Sequence, residues 1–192
     1  MLLRCYNNTC LEAGLDEAGR GCLAGPVVAS AVILPPDYES ELLNDSKQLT
    51  REDRNLLRQE IEQVALAWAV ASASNTEIDR INILQASFMA MHRAIDALAY
   101  RPGHLLIDGN RFSPYPMIPH TCIVKGDARF MAIAAASVLA KTHRDEIMES
   151  LALEYPHYRW EENAGYPTLF HRKAILEHGY TPYHRQTFRV RV

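Results

Sequence analysis

The alternation of hydrophobic and polar positions predicts three strands in the first part of the chain. Residues 12–17 (EAGLDE) form a short apolar stretch that ends in two acids, and 26–34 (PVVASAVIL) are rich in β-branched residues. Glycines between these stretches indicate a hairpin connection. Residues 65–74 (ALAWAVASAS) predict a third strand that is buried on at least one face.

Two further strands are predicted later in the chain, and each ends at an acid. Residues 104–110 (HLLIDGN) predict a strand ending at Asp108, and 121–127 (TCIVKGD) predict one ending at Asp127. Between them lies a proline-rich loop. Strands that follow one another, then alternate with helices, predict an α/β fold with a mixed sheet.

The spacing of apolar residues also predicts four helices. Thr50 precedes a helix that runs to about Val64, and Thr76 with Asp79 forms a capping-box-like start. The helix after Thr76 carries one apolar stripe, typical of a core-facing side. Its members are Ile81, Leu84, Phe88, Met91, Ile95 and Leu98.

The other two predicted helices lie in the second half. One runs from about residue 129 towards 154, where Pro156 must stop it, and the last covers 167–178 before Gly179.

Composition limits the protein to a modest size and an ordinary core. The chain has 192 residues, 48% of them hydrophobic, which predicts a single domain (1–192) with a helical and basic segment (156–192) packed on it. The net charge is −3, which argues against a protein that coats nucleic acid.

Basic residues are concentrated near the end of the chain, where they form either an ordinary solvated surface or a phosphate-facing rim. They are Arg172, Lys173, Arg185, Arg189 and Arg191.

Cysteine usage and hydropathy predict a cytoplasmic protein. The four cysteines show no C-x-x-C spacing, so we expect free thiols in a reducing compartment. No apolar stretch reaches the length of a signal peptide or a membrane span. His171, His178 and His184 lack the spacing of zinc ligands.

Four acids are candidates for one site, because the predicted strands end at them: Asp16, Glu17, Asp108 and Asp127. Clustered carboxylates repel each other, and a hard divalent cation such as Mg²⁺ or Mn²⁺ relieves that repulsion. The backbone of Gly19, Arg20 and Gly21 could come close to a phosphate held by such ions.

Each acid also has a simpler interpretation. Asp108 fits a turn-forming Asp-Gly pair, and Asp127 fits the cap of the long helix. Asp16 and Glu17 are adjacent, so a regular strand points them to opposite faces; both serve one site only if the strand ends or bulges there.

The long helix adds three polar residues on one face, because Ser137, Lys141 and Asp145 are spaced by four. Ser137 and Lys141 are candidates for holding a phosphate, and Asp145 for a further ligand or a supporting acid. The alternative is that Lys141 and Asp145 form an ordinary surface ion pair.

Several blocks of sequence, taken in order, closely resemble bacterial ribonuclease HII, the type 2 ribonucleases H, over about residues 11–189. The blocks are GLDEAGRGCLAGPVVASAVIL, LNDSKQL, LIDGNR, VKGDA, AAASVLAKTHRD and GYPTLFH. The resemblance implies a ribonuclease H-like fold with a five-stranded mixed sheet flanked by helices. It implies cleavage of RNA in RNA–DNA hybrids and incision 5′ to single ribonucleotides in duplex DNA, giving 3′-hydroxyl and 5′-phosphate ends.

The resemblance also assigns residues. It implies that Asp16, Glu17, Asp108 and Asp127 bind Mg²⁺ or Mn²⁺ in a two-metal mechanism. Gly19, Arg20 and Gly21 resemble the loop that senses the ribose 2′-hydroxyl, and Tyr166 resembles the tyrosine that packs on the sugar at the RNA–DNA junction. Ser46 and Lys47 of LNDSKQL, with Ser137 and Lys141, are the remaining expected substrate contacts.

Three features refine the resemblance. Arg20 stands where type 3 relatives usually have a non-basic residue, and because a first strand is predicted to begin by residue 11, we expect no extra N-terminal domain of the type 3 kind. Many relatives have His-Lys where this chain has Asn163-Ala164, so a basic backbone contact is expected to be missing or moved. Some relatives extend further at the C-terminus, so duplex affinity is expected to be modest and strongly salt-dependent.

Two other functions remain open at this stage. One is a nuclease of the same fold that acts on DNA junctions, and the other is a hybrid-binding module without catalysis. The glycine loop argues against the first, and the four acids facing phosphate argue against the second. We expect a monomer.

Overall fold

Five strands form the centre of the structure, a computed structural model that describes residues 2–7, 9–44 and 49–190. They are β1 (Glu12–Ala18), β2 (Val27–Ile33), β3 (Ala67–Ala73), β4 (His104–Asp108) and β5 (His120–Ile123). Their order in the sheet is β3-β2-β1-β4-β5. The first three strands pair antiparallel, whereas β4 and β5 continue the sheet parallel to β1. The predicted α/β fold with a mixed sheet is confirmed.

Helices cover both faces of this sheet. Over the described residues they are α1 (Glu41–Asn44), α2 (Arg51–Val64), α3 (Asn75–Ile81), α4 (Ile83–Asp96), α5 (Met131–Glu154), α6 (Trp160–Asn163) and α7 (Leu169–His178). As predicted, Thr50 caps α2, and Asp53 completes the capping box. Within the same residues, no helix is long and apolar enough to cross a membrane.

The sheet separates two hydrophobic cores, one on each face. Leu15 and Ile107 pack on the face covered by α3 and α4, whereas Val32 packs with α2 and α5 on the other. Each fully buried aliphatic side chain contributes about 1.5–3 kcal/mol. The α5 side is especially close, since a Cβ added at Gly14 would lie 2.1 Å from the carbonyl carbon of Ala132. Glycine in β1 and the alanines of α5 therefore let the helix approach the strand.

The helix predicted after Thr76 is wrong in its start and its continuity. Ser74 is the cap, because its side chain accepts from the Glu77 amide and Glu77 accepts from the Ser74 amide. Asn82 then breaks the helix with φ = 68°, and its Oδ1 caps α4 by accepting from Leu84 and Gln85 amides at 3.0 and 3.2 Å. A side chain that makes its own cap stabilises a break that periodicity alone does not reveal.

The fifth strand and the long helix also differ from their predicted bounds. β5 ends at Ile123, and Asp127 lies beyond it in a 3-10 turn, Gly126–Ala128. The long helix begins at Met131, with Phe130 at the cap position. Asp127 is therefore neither the end of a strand nor the cap of α5. Lys125, at φ = 56°, makes the turn that separates it from the strand.

The described part of the C-terminal segment packs on the connection between β1 and β2. Trp160 and Ile175 share a buried cluster with Leu23 and Ala24 of that connection. An isolated antiparallel bridge joins Ala24 to His184. The segment thus lies behind the glycine-rich stretch 19–26.

Candidate active site

Asp16 and Asp108 lie near the carboxyl ends of two neighbouring strands, β1 and β4. The parallel pairing of β1 and β4 extends to Leu15 opposite Ile107, so the two acids follow directly on adjacent strands. They interact electrostatically. The carboxyl ends of parallel strands thus bring together two acids that are far apart in sequence.

Asp16 is a buried acid with little to stabilise its charge. It is 8% exposed. Burial raises the pKa of Asp16 well above its usual range, and the charges of Glu17 and Asp108 raise it further. Hydrogen bonds from the Ser137 side chain and from the Glu17 amide, 2.7 Å from Oδ1, only partly oppose this. These surroundings disfavour the ionised form of Asp16, and a bound cation would favour it.

Glu17 points to the other side of the sheet, towards α4. β1 does not end at the acids but continues to Ala18, paired with Val28, so the expectation that the strand ends there is wrong by one residue. Burial raises the pKa of Glu17, whereas the Arg20 guanidinium, 2.9 Å away, lowers it and Asp108 raises it. Asp108, at the end of its strand, is coupled to both acids.

A cleft of about 310 Å³ opens between β4 and α4, and it contains two of these acids. Glu17 and Asp108 lie on one wall with Arg20. The remaining lining residues are Leu84, Ser87, Phe88, Met91, Gly109, Asn110 and Arg111. Three members of the apolar stripe, Leu84, Phe88 and Met91, therefore border the cleft, although the stripe predicted a core-facing side.

Asp127 lies beside this edge but in a different element. The Gly126 amide donates to Asp108 Oδ1 at 2.6 Å, which holds the 3-10 turn against the end of β4. Asp127 is the next residue and is half-buried. The turn, rather than a strand end, therefore brings the fourth acid to the neighbourhood of Asp108.

The glycine connection leaves the edge of the sheet immediately after the acids. Gly19 has φ = +95°, and a Cβ there would lie 2.0 Å from Arg144 Nε. A Cβ at Gly21 would meet nothing within 4 Å, and Arg20 and Gly21 are exposed. The tip of the connection is thus open to a ligand, whereas its base is closely packed.

The loop that carries Tyr166 packs directly on this connection. The Leu23 amide donates to Gly165 O at 2.8 Å. Tyr166 is 41% exposed, and its hydroxyl shares a hydrogen bond with the buried Cys22 thiol. Burial raises the pKa values of both groups. Tyr166 therefore contacts the same connection that carries Gly19, Arg20 and Gly21, through Cys22 directly after them.

A family comparison agrees with this arrangement. A family model described as Ribonuclease HII matches residues 13–191. Ribonuclease HII of Bacteroides thetaiotaomicron is 64% identical over 190 residues, which are 99% of this chain and 95% of the relative. The chain belongs to the ribonuclease HII family. Its enzyme class is therefore that of a type 2 ribonuclease H, a nuclease and a hydrolase, as the sequence blocks predicted.

Other relatives give the same result. Ribonuclease HII of Parabacteroides distasonis is 64% identical over 188 residues, covering 98% of this chain and 94% of that one. The crystal structure of ribonuclease H2 from Pyrococcus horikoshii matches with a TM-score of 0.78 and 25% identity over 93% of this chain and 94% of that one. Bst-RNase HIII, in a structure with Mn²⁺, shares the fold at a TM-score of 0.68 and 20% identity, covering 93% and 67%. The ribonuclease H-like fold is confirmed.

The three polar residues of α5 lie in two places. The Ser137 side chain hydrogen-bonds Asp16, which partly lowers the pKa of that acid. Lys141 and Asp145 pair at 2.5 Å and line a second cleft with Arg51 and Arg54. The ion-pair alternative for Lys141 and Asp145 is therefore the arrangement that the structure has. Ser46 and Lys47 lie outside the described residues.

Asn163 and Ala164, where the sequence resemblance led us to expect a missing or moved basic contact, shape the Tyr166 loop. Asn163 Oδ1 accepts from the Gly165 amide at 2.9 Å, and its Nδ2 donates to Tyr158 O at 2.7 Å. Ala164 O accepts from Arg144 Nη1 at 2.8 Å. Both residues thus interact through amide and backbone groups.

A network of hydrogen bonds among buried side chains supports the Tyr166 loop from inside the protein. The Thr181 amide donates to His184 Nδ1, so His184 carries its proton on Nε2, which faces His171 Nε2 at 3.1 Å. Trp160 Nε1 also donates to His171 Nε2, and His171 Nδ1 lies 2.9 Å from Tyr166 O. Both histidines are fully buried and neutral in this chain, and burial lowers both pKa values, that of His184 to about 4.

Sequence reasoning missed several buried polar residues. Arg144 and Arg185 are 1% and 0% exposed, so Arg185 is not part of a phosphate-facing rim. Arg172 is half-buried with Nε on Pro167 O, whereas Arg189 is exposed; Arg191 lies outside the described residues. A signal for Arg144 was its spacing of four from Ala140 and Met148, both on the buried side of α5.

Ser87 is a different kind of omission. Its Oγ is buried at the wall of the acidic cleft and has no hydrogen-bond partner among the described residues. Buried hydroxyls are normally satisfied within the protein or by water or a ligand. The cleft thus offers an unused donor beside its acids.

The site has carboxylate oxygens of the kind that bind hard cations, although the described side chains do not yet surround one point. Mg²⁺ and Mn²⁺ prefer carboxylate oxygens, and the raised pKa values of Asp16 and Glu17 reflect charge that a cation would neutralise. In the part of the chain that the structure describes, no three His, Cys, Asp or Glu side chains already surround one point. Glu17 is paired with Arg20 instead. The residues fit a divalent cation in chemistry and require Glu17 to exchange partners.

Proposed function

We propose that the chain hydrolyses the RNA strand of RNA–DNA hybrids and cuts duplex DNA on the 5′ side of a single embedded ribonucleotide. The observation that carries this proposal is the hydrogen bond between Leu23 and Gly165. It joins the glycine connection, which follows the acids of β1, to the Tyr166 loop. Recognition of a sugar and hydrolysis of its phosphodiester would then occur at adjacent groups.

The glycine connection supports recognition of RNA. A 2′-hydroxyl is the group that distinguishes a ribonucleotide from a deoxyribonucleotide at a given position. Backbone groups can contact it only where side chains leave room, as at Gly21. The half-exposed ring of Tyr166 is suited to pack on the neighbouring sugar. Ser46, Lys47, Ser137 and Lys141 are the further proposed substrate contacts.

The acids support a dependence on divalent metal. We assign Asp16, Glu17, Asp108 and Asp127 to the binding of Mg²⁺ or Mn²⁺, in a two-metal arrangement, with Asp145 as a candidate supporting acid. When bound, such ions supply positive charge at the scissile phosphate and lower the pKa of a water. The chain's own contribution is to hold the carboxylates at one edge and to release Glu17 from Arg20.

The proposed reaction adds one water across a phosphodiester. The water oxygen bonds to phosphorus while the bond from phosphorus to the upstream O3′ breaks. One water proton ends on O3′, so the products carry a 3′-hydroxyl and a 5′-phosphate. We propose that residues 1–192 act as one catalytic domain, monomeric and cytoplasmic.

The decisive experiment compares four matched substrates with the full chain. They are an RNA–DNA hybrid, a duplex with one ribonucleotide, the same duplex entirely of DNA, and a branched DNA junction, each with Mg²⁺, Mn²⁺ or a chelator. We expect cutting of the first two in the presence of metal and of neither without it. Sequencing of the ends should place the cut 5′ to the ribonucleotide.

The other outcomes identify the alternatives. Cutting of the DNA junction and of the all-DNA duplex would replace the proposal with a DNA nuclease of the same fold. Binding of the hybrid without cutting, together with no Mn²⁺ uptake in calorimetry, would replace it with a binding module.

A further inference from the structure

Two buried arginines lie directly behind the glycine connection, and neither is part of the proposed metal or substrate contacts. Arg144 projects from α5, and Arg185 from the C-terminal segment. Burying a guanidinium is costly unless its N–H groups are bonded. Its bonding partners therefore indicate what it does.

Backbone carbonyls of one short stretch supply most of those partners. Arg185 donates from Nη2 to Gly19 O at 2.7 Å, from Nη1 to Arg20 O at 2.9 Å and from Nε to Gly25 O at 3.1 Å. Arg144 donates from Nη2 to Ala24 O at 3.1 Å and from Nε to Pro26 O at 3.0 Å. The two side chains together hold carbonyls at both ends of the connection.

Carbonyls that are turned inwards leave the amides at the tip facing outwards. Arg20 and Gly21 are exposed, and within the described residues their amides have no backbone acceptor. Successive outward N–H groups form a concave site for anions and hydroxyl oxygens. The positive charges behind the connection also polarise these peptide groups and strengthen their N–H donors.

Arg144 also links the glycine connection to the loop that carries Tyr166. Its Nη1 donates to Ala164 O at 2.8 Å, two residues before Tyr166. The same guanidinium leaves no room for a side chain at Gly19. Arg144 thus fixes the distance between the glycine connection and the Tyr166 loop.

Asp79 and Asn75 hold Arg185 in place from the opposite side. The Asp79 carboxylate accepts from the Gln186 and Thr187 amides at 2.9 and 3.0 Å. Asn75 Nδ2 donates to His184 O at 3.2 Å. These contacts tie the residues on either side of Arg185 to α3, so the C-terminal segment delivers the guanidinium to the connection.

We propose that Arg144 and Arg185 are positioning residues for reading the ribose 2′-hydroxyl, acting through the backbone of residues 19–26. This inference rests on the proposed function, because it requires that the connection contacts the ribose. Arginine is needed because its planar fork reaches several carbonyls at once, whereas lysine offers a point charge. The basic C-terminal segment serves the site from behind, through Arg185.

The test measures kcat/KM for Arg144→Lys and Arg185→Lys on two duplexes. One carries a single ribonucleotide, and the other carries a 2′-fluoro nucleotide at the same position. A displacement of about 1 Å in a positioning group costs on the order of 100-fold, which we expect for the ribonucleotide only. The preference for the 2′-hydroxyl over 2′-fluoro should therefore fall, whereas Mn²⁺ affinity by calorimetry should not change.

Two controls separate positioning from general damage. Arg80→Lys, an exposed residue of α3, should leave both rates unchanged. Added guanidinium ion should partly restore the ribonucleotide rate of Arg185→Ala but not affect Arg80→Ala. If one lysine variant does not fold, the other and the rescue still provide the measurement.

The results that would overturn the proposal are specific. Equal losses of kcat/KM on both duplexes in a folded variant would show a purely structural role. Unchanged rates on both duplexes would show that the arginine has no role in positioning. If the unaltered chain fails to cut the ribonucleotide duplex, the proposed function fails first, and the positioning role fails with it.

Discussion

The acids at the edge of the sheet and the arginines behind the glycine connection are both buried charges, yet their surroundings are opposite. Burial raises the pKa values of Asp16 and Glu17; the charges of Glu17 and Asp108 raise that of Asp16 further, whereas Arg20 partly opposes the shift at Glu17. Arg144 and Arg185 donate to backbone carbonyls throughout. The N–H groups of both arginines are bonded to carbonyls, whereas burial still disfavours the ionised form of the acids despite their hydrogen bonds and the Glu17–Arg20 pair. A buried charge therefore points to ligand binding where its surroundings disfavour it, and to a supporting role where they stabilise it.

Asp108→Asn tests the buried acids, and its expected effect is the largest. Asparagine keeps an oxygen to accept from the Gly126 amide, now at 2.6 Å, so the fold should persist. Loss of one member of a set that acts as a unit lowers kcat by roughly 10³-fold or more. Single-turnover cleavage of the ribonucleotide duplex measures this. Exposed Asp37→Asn is the control, and a near-normal rate in Asp108→Asn would remove Asp108 from the site.

The pH dependence of stability tests the buried polar residues whose hydrogen bonds are made within the protein, here His184. Burial lowers the pKa of His184 from 6.5 to about 4, so the unfolded chain takes up a proton that the folded protein refuses. This stability is complete above pH 6.5 and is lost as the pH falls towards 4. The loss is about 3 kcal/mol for His184 alone.

Denaturant unfolding between pH 7.5 and 5.5 measures the first part of this loss, about 1.4 kcal/mol, before most carboxylates titrate. The dependence of the unfolding free energy on pH should become weaker in His184→Gln. It should be unchanged in His157→Gln, which alters an exposed histidine. A wild-type stability that is flat over this range would contradict a neutral, buried pair.

Asp16→Asn should stabilise the protein in the absence of metal while abolishing activity. An acid whose folded pKa is raised loses stability as the pH rises from its unfolded value through its folded value. Asparagine avoids that loss, and removing an uncompensated buried charge gains about 1–2 kcal/mol at neutral pH. Thermal unfolding with chelator should show the gain, and added Mn²⁺ should stabilise only the wild type. A destabilised variant would mean that Asp16 is already neutralised.

The sequence was sufficient to predict where Asp16 and Asp108 lie in the fold, but not the buried residues behind the glycine connection. Acids that end apolar runs predict a shared edge, and this placed Asp16 and Asp108 correctly because parallel strands end together. The fourth acid was misplaced, since a left-handed residue, Lys125, separates Asp127 from β5. Such a turn depends on contacts with the rest of the fold that local composition does not contain.

Buried charge was the main reason for the remaining errors. Arg185 stands among exposed basic residues in the sequence, and single-residue expectations place arginine at the surface. Its burial depends on carbonyls of residues 19–26, which lie about 160 positions earlier. The break at Asn82 was missed for a related reason, because the apolar spacing continues across it.

Two buried serines provide the finest test of the same contrast. Ser30 Oγ donates to Ala136 O at 2.6 Å, whereas Ser87 Oγ, at the wall of the acidic cleft, has no partner among the described residues. Ser30→Ala removes a made hydrogen bond and leaves a carbonyl unsatisfied, so it should cost about 1 kcal/mol. Ser87→Ala removes only an unsatisfied hydroxyl, and its stability should be unchanged or slightly higher.

The difference between the two variants, measured by urea unfolding without metal or substrate, isolates the hydrogen bond because both changes delete one oxygen from a buried site. Equal losses would show that Ser87 is bonded in solution, and the cleft would then be more complete than its acids indicate. A loss confined to Ser30 would leave Ser87 as a free donor beside Glu17 and Asp108, available to whatever enters the cleft.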